Sequence, residues 1–429
     1  MNKYKIILYI LCVSFSLVNG QINTYSPYSY FAIGQLQPIG NNYNISMGGL
    51  GTSVNSNHYL NYINPASYAF LDMTTFEFGM RSSFINMSQK VIDSQNLEQN
   101  NFVSGLTSIG LGFPISSKVS LSASLLPYTS VGYSMMTDEL IFNQSSAPND
   151  SIAASTTLYG GSGGINKFLL GISVNILDNL SLGANFNYLF GSIKRETRLA
   201  SNQSPWYFRD ISEKILRGSN FDIGLLYFKM IDDYKINIGF TVRPAKDIDT
   251  QRSTLQVMSG EVYSADNPIN LDLLDENIGN KNTHLPLESS IGVSVEASEK
   301  LLIGFDYRYN NWENYDESDI NICCMQNSNE FILGGFYTPN KNDIYNYFNR
   351  VQYRFGASYS SGYLDNLAHF SGTLGLGLPI NRVSSKANIA FKYGVIESDL
   401  NQNDFTEQYF SIYLSMTLNE KWFQKLKIQ

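Results

Sequence analysis

The chain contains little charge and, after its first 20 residues, no long apolar run. Only 15% of its 429 residues are Asp, Glu, Lys or Arg, against about 25% in ordinary globular domains. No later stretch approaches the ~18 continuous apolar residues of a membrane-crossing helix, so we expect no transmembrane helix. Aromatic residues nevertheless reach 14%, and the mean hydropathy is −0.16. Many aromatics with few charges favour a β-barrel with one lipid face and one polar face. An array of soluble β-sandwiches could have the same composition, so composition alone does not exclude it as the alternative to a barrel.

Cysteine is scarce as well, with three residues in the chain. Cys12 lies in the apolar N-terminal stretch, whereas Cys323 and Cys324 are adjacent. Adjacent Cα atoms lie about 3.8 Å apart, below the usual disulfide range of about 4.4–6.8 Å. A vicinal disulfide would therefore be strained, and the sequence leaves this bond and two thiols as alternatives. No histidine or second cysteine pair lies nearby, so we predict no metal site here.

The N-terminus has the three parts of a secretory signal peptide. Lys3 and Lys5 precede an apolar stretch over residues 6–18, and Gly20 precedes a plausible cleavage point. The apolar stretch, about 13 residues long, is too short to anchor the chain in a bilayer, and Cys12 lies inside it rather than at the cleavage point of a lipoprotein. Without residues 1–20 the chain has 27 basic and 37 acidic residues, a net charge of −10. This acidic balance argues against a nucleic-acid partner.

The remaining chain alternates apolar and polar residues in a series of predicted hairpins. Six short turns separate the alternating stretches, at residues 115–118, 178–179, 232–233, 298–300, 339–348 and 381–385. They join twelve strands, and one further strand lies at each end, beginning near Phe76 and ending near Leu418. The predicted fold is all-β, a transmembrane antiparallel β-barrel of about 14 strands over residues 74–419. An even number of strands puts both chain ends on the short-turn side, which is periplasmic in such barrels. Residues 420–429 would form a periplasmic tail.

The connections at the other end are longer and more polar. Residues 88–101, 137–155, 198–218 and 245–286 read as extracellular loops. Aromatic residues such as Tyr307, Tyr309 and Trp422 lie near strand ends, where they would form girdles at the membrane interfaces. The pattern predicts an outer-membrane location and outer-membrane lipid as the surrounding partner.

Residues 21–73 do not alternate, yet they are too apolar for a disordered tail. A fourteen-strand barrel is wider than an eight-strand barrel, whose interior is just filled by its own side chains. We therefore expect residues 21–73 to form a plug inside the barrel.

Two motifs in this segment resemble the FadL family of outer-membrane channels for hydrophobic compounds. Met47 is followed by Gly48, Gly49 and Gly51, and an Asn-Pro-Ala stretch follows at residues 64–66. The resemblance implies that Gly48, Gly49, Gly51, Asn64, Pro65 and Ala66 belong to an N-terminal hatch. It also implies a hydrophobic pocket, long-chain fatty acids or aromatic hydrocarbons as ligands, and lateral exit through the wall. The residues near both ends of the mature chain resemble a branch that includes accessory barrels of secretion and assembly machines, PorV among them.

Lateral exit requires a local break in strand pairing. Pro127 interrupts the third predicted strand, and a proline cannot donate to a β-ladder. We interpret Pro127 with Gly132 as the kink of a lateral opening; a rim bulge without a transport role is the alternative. The kink of the resembled family lies one strand earlier than Pro127.

The sequence offers no convincing catalytic or metal-binding group. Its histidines, His58, His284 and His369, have no evident nucleophile partner, and no Gly-x-Ser-x-Gly elbow is present. Asp232 and Asp233 form a predicted hairpin turn and lack the spacing of a calcium loop. We therefore expect neither an enzyme nor a bound cofactor.

Two functions remain open at this point. The first is a passive uptake channel for hydrophobic small molecules such as long-chain fatty acids, which would bind such a ligand or a detergent. The second is a non-transporting accessory subunit that binds other outer-membrane proteins in a secretion, assembly or surface-display complex. An apolar pocket beside the plug would favour the channel, whereas a filled interior would favour the subunit.

Overall fold

A computed structural model describes residues 24–89, 97–141, 153–201, 204, 206–260, 269–298, 300–317, 325–364, 366–380, 385–400 and 403–422. The predicted signal peptide, Cys323 with Cys324, and most of the predicted C-terminal tail lie outside these residues. No helix in the described ranges is long and apolar enough to cross a membrane.

Within the described residues, fourteen long antiparallel strands close into a barrel. Strand β14 pairs with β1 from Glu420↔Thr74 to Phe405↔Gln89, which closes the sheet. The predicted fold class and strand number are thus confirmed. The strands, two of which are interrupted, are β1 Thr74–Gln89, β2 Leu97–Pro114, β3 Val119–Ile141, β4 Ala153–Leu177, β5 Leu180–Ser201, β6 Trp206–Ile231, β7 Tyr234–Arg243 with Lys246–Gly260, β8 Ile269–Leu285 with Glu288–Ala297, β9 Leu301–Asn310, β10 Ser328–Tyr337, β11 Gln352–Ser361, β12 Leu367–Pro379, β13 Lys386–Leu400 and β14 Asn403–Glu420.

The two faces of the wall differ as a membrane requires. On β14, Phe410, Leu414 and Met416 are exposed, whereas Ser411 and Thr417 are buried. Apolar side chains therefore point out and polar side chains point in, the reverse of a soluble protein and the pattern of a lipid-embedded barrel.

The predicted long polar loops are mostly strand, which corrects the sequence reading of residues 198–218 and 245–286. Strands β5 to β8 continue through these residues, and Trp206–Arg217 of β6 pairs with Gly260–Asp249 of β7. Beyond the membrane a sheet no longer needs an apolar face, so its polar sequence does not alternate as a transmembrane strand does. The prolines Pro244 and Pro286 fall in the interruptions of β7 and β8, as expected of a residue that cannot donate to the ladder.

The N-terminal segment, residues 24–73, packs against the inward-facing side of the wall. It contains short 3₁₀ helices at Pro27–Tyr30 and Pro65–Phe70, a two-residue strand at Gln35–Leu36 and one helical turn at Asn42–Ile45. Most of its side chains are buried. Other short elements are a strand at Asp316–Glu317 and helical turns at Trp312–Asn314 and Tyr347–Arg350.

Candidate functional site

The glycine motif seats the N-terminal segment directly on wall backbone. Gly48 and Gly49 have φ of 76° and 97°, a conformation that favours glycine. The Gly48 N–H donates to Thr373 Oγ1 over 2.8 Å. The wall provides matching glycines: a Cβ at Gly356 would lie 2.2 Å from Gly48 N, and one at Gly334 would lie 2.1 Å from Met47 O. The contact is therefore backbone on backbone, and any side chain on the wall at these points would prevent it.

The carboxylate of Asp306 on β9 holds the end of the same motif. Its Oδ2 accepts hydrogen bonds from the N–H groups of Gly51 and Thr52, at 2.8 and 2.7 Å. Arg308, two residues further along β9, donates to the Gly49 carbonyl. Charge-assisted bonds to backbone groups are among the stronger protein hydrogen bonds, so β9 fixes the motif at three points.

The Asn-Pro-Ala stretch opens the 3₁₀ helix Pro65–Phe70 and ties it to the rest of the segment. Asn64 Oδ1 accepts from the Ala66 N–H over 3.0 Å, which caps the helix. Asn64 Nδ2 donates to Thr52 O over 2.7 Å and to Leu225 O of β6 over 3.1 Å. Asn64 is fully buried, so a single side chain joins two parts of the segment to the wall.

A second polar cluster lies on the inward side of β4, β6, β7 and β8. Arg243 donates to Asp222 and to Glu288, each over 2.5 Å. The Tyr128 hydroxyl of β3 donates to Glu288 over 3.3 Å, and the buried Lys167 ammonium lies 5.9 Å from the centre of the Tyr128 ring. Buried charges are stable only when paired in this way. The cluster therefore links the wall strands through charge pairs where a hydrophobic pocket would have an apolar lining.

A cavity of about 290 Å³ separates the N-terminal segment from the wall. Apolar side chains, among them Leu36, Ile39 and Ile396, line part of it. Pockets for apolar ligands are lined mainly by hydrophobic side chains with few polar groups. The lining of this cavity is also mainly apolar, but it includes eight charged residues, four of each sign. They are Arg81, Asp222, Arg243, Glu288, Arg308, Glu330, Lys392 and Glu407.

The wall is interrupted between β2 and β3. In the described residues these strands pair only over Ile109–Pro114 with Leu125–Ser120, the six residues nearest their short turn. On its other side β3 pairs with β4 along its whole length, with a register shift between Pro127 and Thr129. Pro127 thus lies two residues beyond the last β2–β3 pair, at the point where the two strands part. The structure brings the predicted kink residue to this break and leaves its role open.

The N-terminal segment occupies the break with residues 24–37, which we call the strap. Gln35 and Leu36 pair with Ser130 and Thr129 of β3, and the Ser26 N–H donates to the Gly132 carbonyl over 2.8 Å. Gly132, the second predicted kink residue, is thus a hydrogen-bond partner of the strap. On the other side the strap meets β2 through Tyr25, whose hydroxyl accepts a hydrogen bond from Gln99 and whose ring packs against the cluster that includes Val103. The strap therefore contacts both edges of the break.

The histidines lie apart from one another. His369 Nε2 is 2.8 Å from the Tyr409 hydroxyl inside the barrel, and His284 Nδ1 is 2.6 Å from Asp247 Oδ1 on the extension of β7 and β8. His58 belongs to the N-terminal segment, where burial lowers its pKa below the ordinary value of 6.5. Within the described residues, no group of three or more His, Cys, Asp or Glu could hold a metal.

Several site residues escaped the sequence reading. The signal for Asp306 is a lone carboxylate between Phe305 and Tyr307, in a strand whose one other charged residue is Arg308. Gly334 and Gly356 stand at inward positions of alternating strands, where a packed plug needs the absence of a side chain. These residues can be recognised as site residues only when the position of the N-terminal segment against the wall is known.

The closed fourteen-strand barrel with an inward-packed N-terminal segment defines a FadL-like outer-membrane barrel. Among solved structures, a Pseudomonas aeruginosa FadL homologue superposes with a TM-score of 0.59 at 13% identity, covering 90% of this chain and 99% of that one. The Pseudomonas putida toluene transporter TodX gives 0.56 at 14% identity, covering 89% and 98%. The Ralstonia pickettii toluene transporter TbuX gives 0.55 at 13% identity, also covering 89% and 98%. The expected FadL-like fold is thereby confirmed, and the apolar outer face of the closed barrel agrees with the expected outer-membrane location.

A family model described as BamG matches residues 1–429. The chain therefore belongs to the BamG family. None of the curated proteins compared with the chain matches its sequence.

Proposed function

We propose that this protein is a non-transporting barrel that acts as an accessory subunit of an outer-membrane secretion, assembly or surface-display complex. The observation that carries the proposal is the anchoring of the N-terminal segment to the inside of the wall. Residues 24–73 are hydrogen-bonded to the wall at Asp306, Thr373 and Leu225, and the strap occupies the break in the wall. A conduit for hydrophobic compounds needs an apolar path, whereas eight charged residues, four of each sign, interrupt the apolar lining of the cavity beside this segment.

In this proposal residues 21–73 are a plug with a structural role. Gly48, Gly49 and Gly51 seat it on the wall, and Asn64, Pro65 and Ala66 brace it. Residues 1–20 are a cleaved signal peptide, both mature ends are periplasmic, and the long hairpins are extracellular, as in other barrels with short turns on one side.

The one-sided extension of the barrel supports a role in a complex. Strand β6 has 26 residues and β9 has 10, while a membrane crossing takes about 9–11. Beyond a crossing, β6 continues for about 15 residues, or roughly 50 Å along the strand. Such a raised sheet offers a partner a broad surface on one side of the barrel. Membership of the BamG family also supports an accessory role.

The test is purification at native expression level through a chromosomal affinity tag in mild detergent. We expect other outer-membrane proteins to elute with the tagged barrel in a constant molar ratio through size-exclusion chromatography. Recovery of the barrel alone, at its own size, would contradict the proposal. A tagged barrel of unrelated function from the same membranes serves as the control for adventitious co-purification.

A second candidate function is passive uptake of hydrophobic small molecules, and the break beside Pro127 favours it. Movement of the strap away from β3 would open that break toward the lipid. The test is a disulfide that ties the strap to β3, formed between Gln35→Cys and Ser130→Cys in a Cys323→Ser/Cys324→Ser background. The bond can form because the Cα atoms of opposed residues in an antiparallel pair lie about 4.5–5.5 Å apart. If the protein transports, oxidation slows uptake of a labelled fatty acid or toluene by cells and reduction restores it. If neither this disulfide nor deletion of the gene changes uptake, the transport function is excluded.

A further inference from the structure

The two strands at the break, β2 and β3, differ in the backbone pairing of the edges that face each other. Strand β2 runs from Leu97 to Pro114 and pairs with β1 from Leu97↔Gln89 to Gly112↔Thr75. Its other edge pairs with β3 only from Ile109 onward. Over residues 97–108 the structure shows no strand on that edge, within the described part of the chain. The backbone groups that face the break from β2 are therefore an open strand edge.

The strap does not satisfy this edge. Its backbone hydrogen bonds to the wall go to β3: Ser26 N–H donates to Gly132 O, and Gln37 N–H donates to Tyr128 O. The paired residues Gln35 and Leu36 also face β3. Toward β2 the strap offers side chains, among them Tyr25, whose hydroxyl accepts from Gln99 Nε2 over 3.3 Å. The strap thus supplies backbone hydrogen bonds to β3 at residues 128–132, and none to β2 in the described part of the chain.

The open edge begins inside the membrane. The paired residues 109–114 make up six positions from the short turn, fewer than the ~9–11 needed for a crossing. Phe102 lies further along β2, is 59% exposed, and its ring lies 5.0 Å from that of Phe84, another exposed residue. Counted from Pro114, a crossing of this length reaches residues 104–106, so the open edge from there to residue 108 lies in the hydrocarbon, and the outward-facing aromatic pair marks its border. Backbone donors and acceptors in hydrocarbon cost several kcal/mol each unless a partner supplies hydrogen bonds.

We propose that residues 97–108 of β2 are a docking edge to which a transmembrane strand of a partner outer-membrane protein adds by backbone hydrogen bonding. This inference rests on the proposed accessory function and names the surface that serves it. Strand addition is the chemistry by which an open edge is satisfied. The strap bonds only to residues 128–132 of β3, whereas the β2 edge requires an extended segment long enough to pair with residues 97–108.

The same edge defines the side-chain pattern of the occupant. Val103 is buried on the inner face of β2, whereas Phe102 is exposed on the outer face. A strand added beside them meets lipid with one face and the strap with the other. It must alternate apolar and small or polar residues, which is the pattern of a strand from another barrel. A soluble helix or a free lipid supplies neither this pattern nor the backbone ladder.

The first test is photo-crosslinking in cells, with p-benzoylphenylalanine placed singly at Phe102, Ser104 and Leu106. Strand addition predicts adducts with one partner, whose crosslinked residues move by two positions for each two-residue step along β2. Adducts scattered over unrelated sequences, or adducts without this register, would overturn the proposal. The matched control is Phe370 of β12, an exposed residue of a strand paired on both sides, where we expect no ordered adduct.

The second test compares amide hydrogen exchange in the barrel alone and in the purified complex. Amides of residues 103–108 should exchange at least about tenfold more slowly in the complex, because pairing adds protection, while those of β12 should not change. If a stoichiometric complex forms and residues 103–108 are not protected, the docking edge is wrong and the accessory function stands. If no complex forms at all, the accessory function itself fails.

The disulfide between Gln35→Cys and Ser130→Cys, which ties the strap to β3, tests which edge of the break binds the partner strand. A strand that adds to β2 leaves the β3 pairing in place, so the oxidised protein should still form the complex. Loss of the complex on oxidation, with recovery on reduction, would place the partner on β3 and contradict the proposal.

Discussion

Replacement of Gly356 by alanine should loosen the plug while leaving the barrel closed. The new Cβ would lie 2.2 Å from Gly48 N, so the backbone of the motif must retreat by about 1 Å to reach ordinary contact. That shift breaks the 2.8 Å bond from Gly48 N–H to Thr373 Oγ1. Overpacking costs about 1–3 kcal/mol and the lost bond about 0.5–1.5 kcal/mol. We therefore expect the docked segment to lose about 2–4 kcal/mol, which corresponds to roughly 30- to 700-fold more frequent local opening.

Hydrogen exchange of peptides that cover residues 42–51 measures this opening directly. The matched control is Gly372→Ala in the neighbouring strand β12, because a Cβ there meets nothing within 4 Å. Exchange in Gly372→Ala should equal that of the wild type, and heat-modifiable migration in gels should show a closed barrel in both variants. Equal exchange in Gly356→Ala and Gly372→Ala would refute the backbone-on-backbone seat.

Three further predictions concern single side chains. Asn64→Ala removes a helix cap and two hydrogen bonds, so residues 61–70 should open about 30- to 150-fold more often, a loss of about 2–3 kcal/mol by hydrogen exchange. Asn64→Ser keeps a cap acceptor and should lose less. Arg243→Met leaves Asp222 and Glu288 buried without their cation, and should destabilise the barrel by about 3–5 kcal/mol in urea unfolding, whereas a loss below about 1 kcal/mol would show that the cluster is solvated. Because burial lowers the pKa of His58, the neutral form favours docking: docking is full above the unfolded value of about 6.5 and weakens as the pH falls below it. Exchange near residue 58, corrected for intrinsic pH effects, should therefore rise on acidification, and His58→Gln should abolish that rise.

The transmembrane part of the fold was predictable because the membrane imposes the same pattern of apolar and polar residues on every strand. Lipid on one side and a polar interior on the other force a period of two, as Phe410, Leu414 and Met416 show against Ser411. Short turns such as Asp232-Asp233 then give the strand number. The raised extension was not predictable, because residues 198–218 and 245–286 leave the lipid and lose that constraint while their backbone ladder continues.

The site was predictable only in part. The glycine motif and the Asn-Pro-Ala stretch marked the segment that packs against the inside of the wall, and Pro127 marked the strand that parts from its neighbour. The sequence could not show that Asp306 would bind the Gly51 and Thr52 amides, or that Gly356 would face Gly48, since both contacts join positions more than 250 residues apart. The strap could not be predicted for another reason. Gln35 and Leu36 pair with β3 because β2 leaves that edge of β3 unpaired, and the sequence near Gln35 gives no indication of this pairing.

The most direct test of the central claim is native mass spectrometry of the protein released from outer-membrane vesicles without delipidating detergent. A filled, non-transporting subunit predicts the mass of a defined hetero-complex, and a barrel that retains no fatty acid or hydrocarbon after the complex is dissociated in the gas phase. A monomeric barrel that carries one bound hydrophobic molecule would contradict the account.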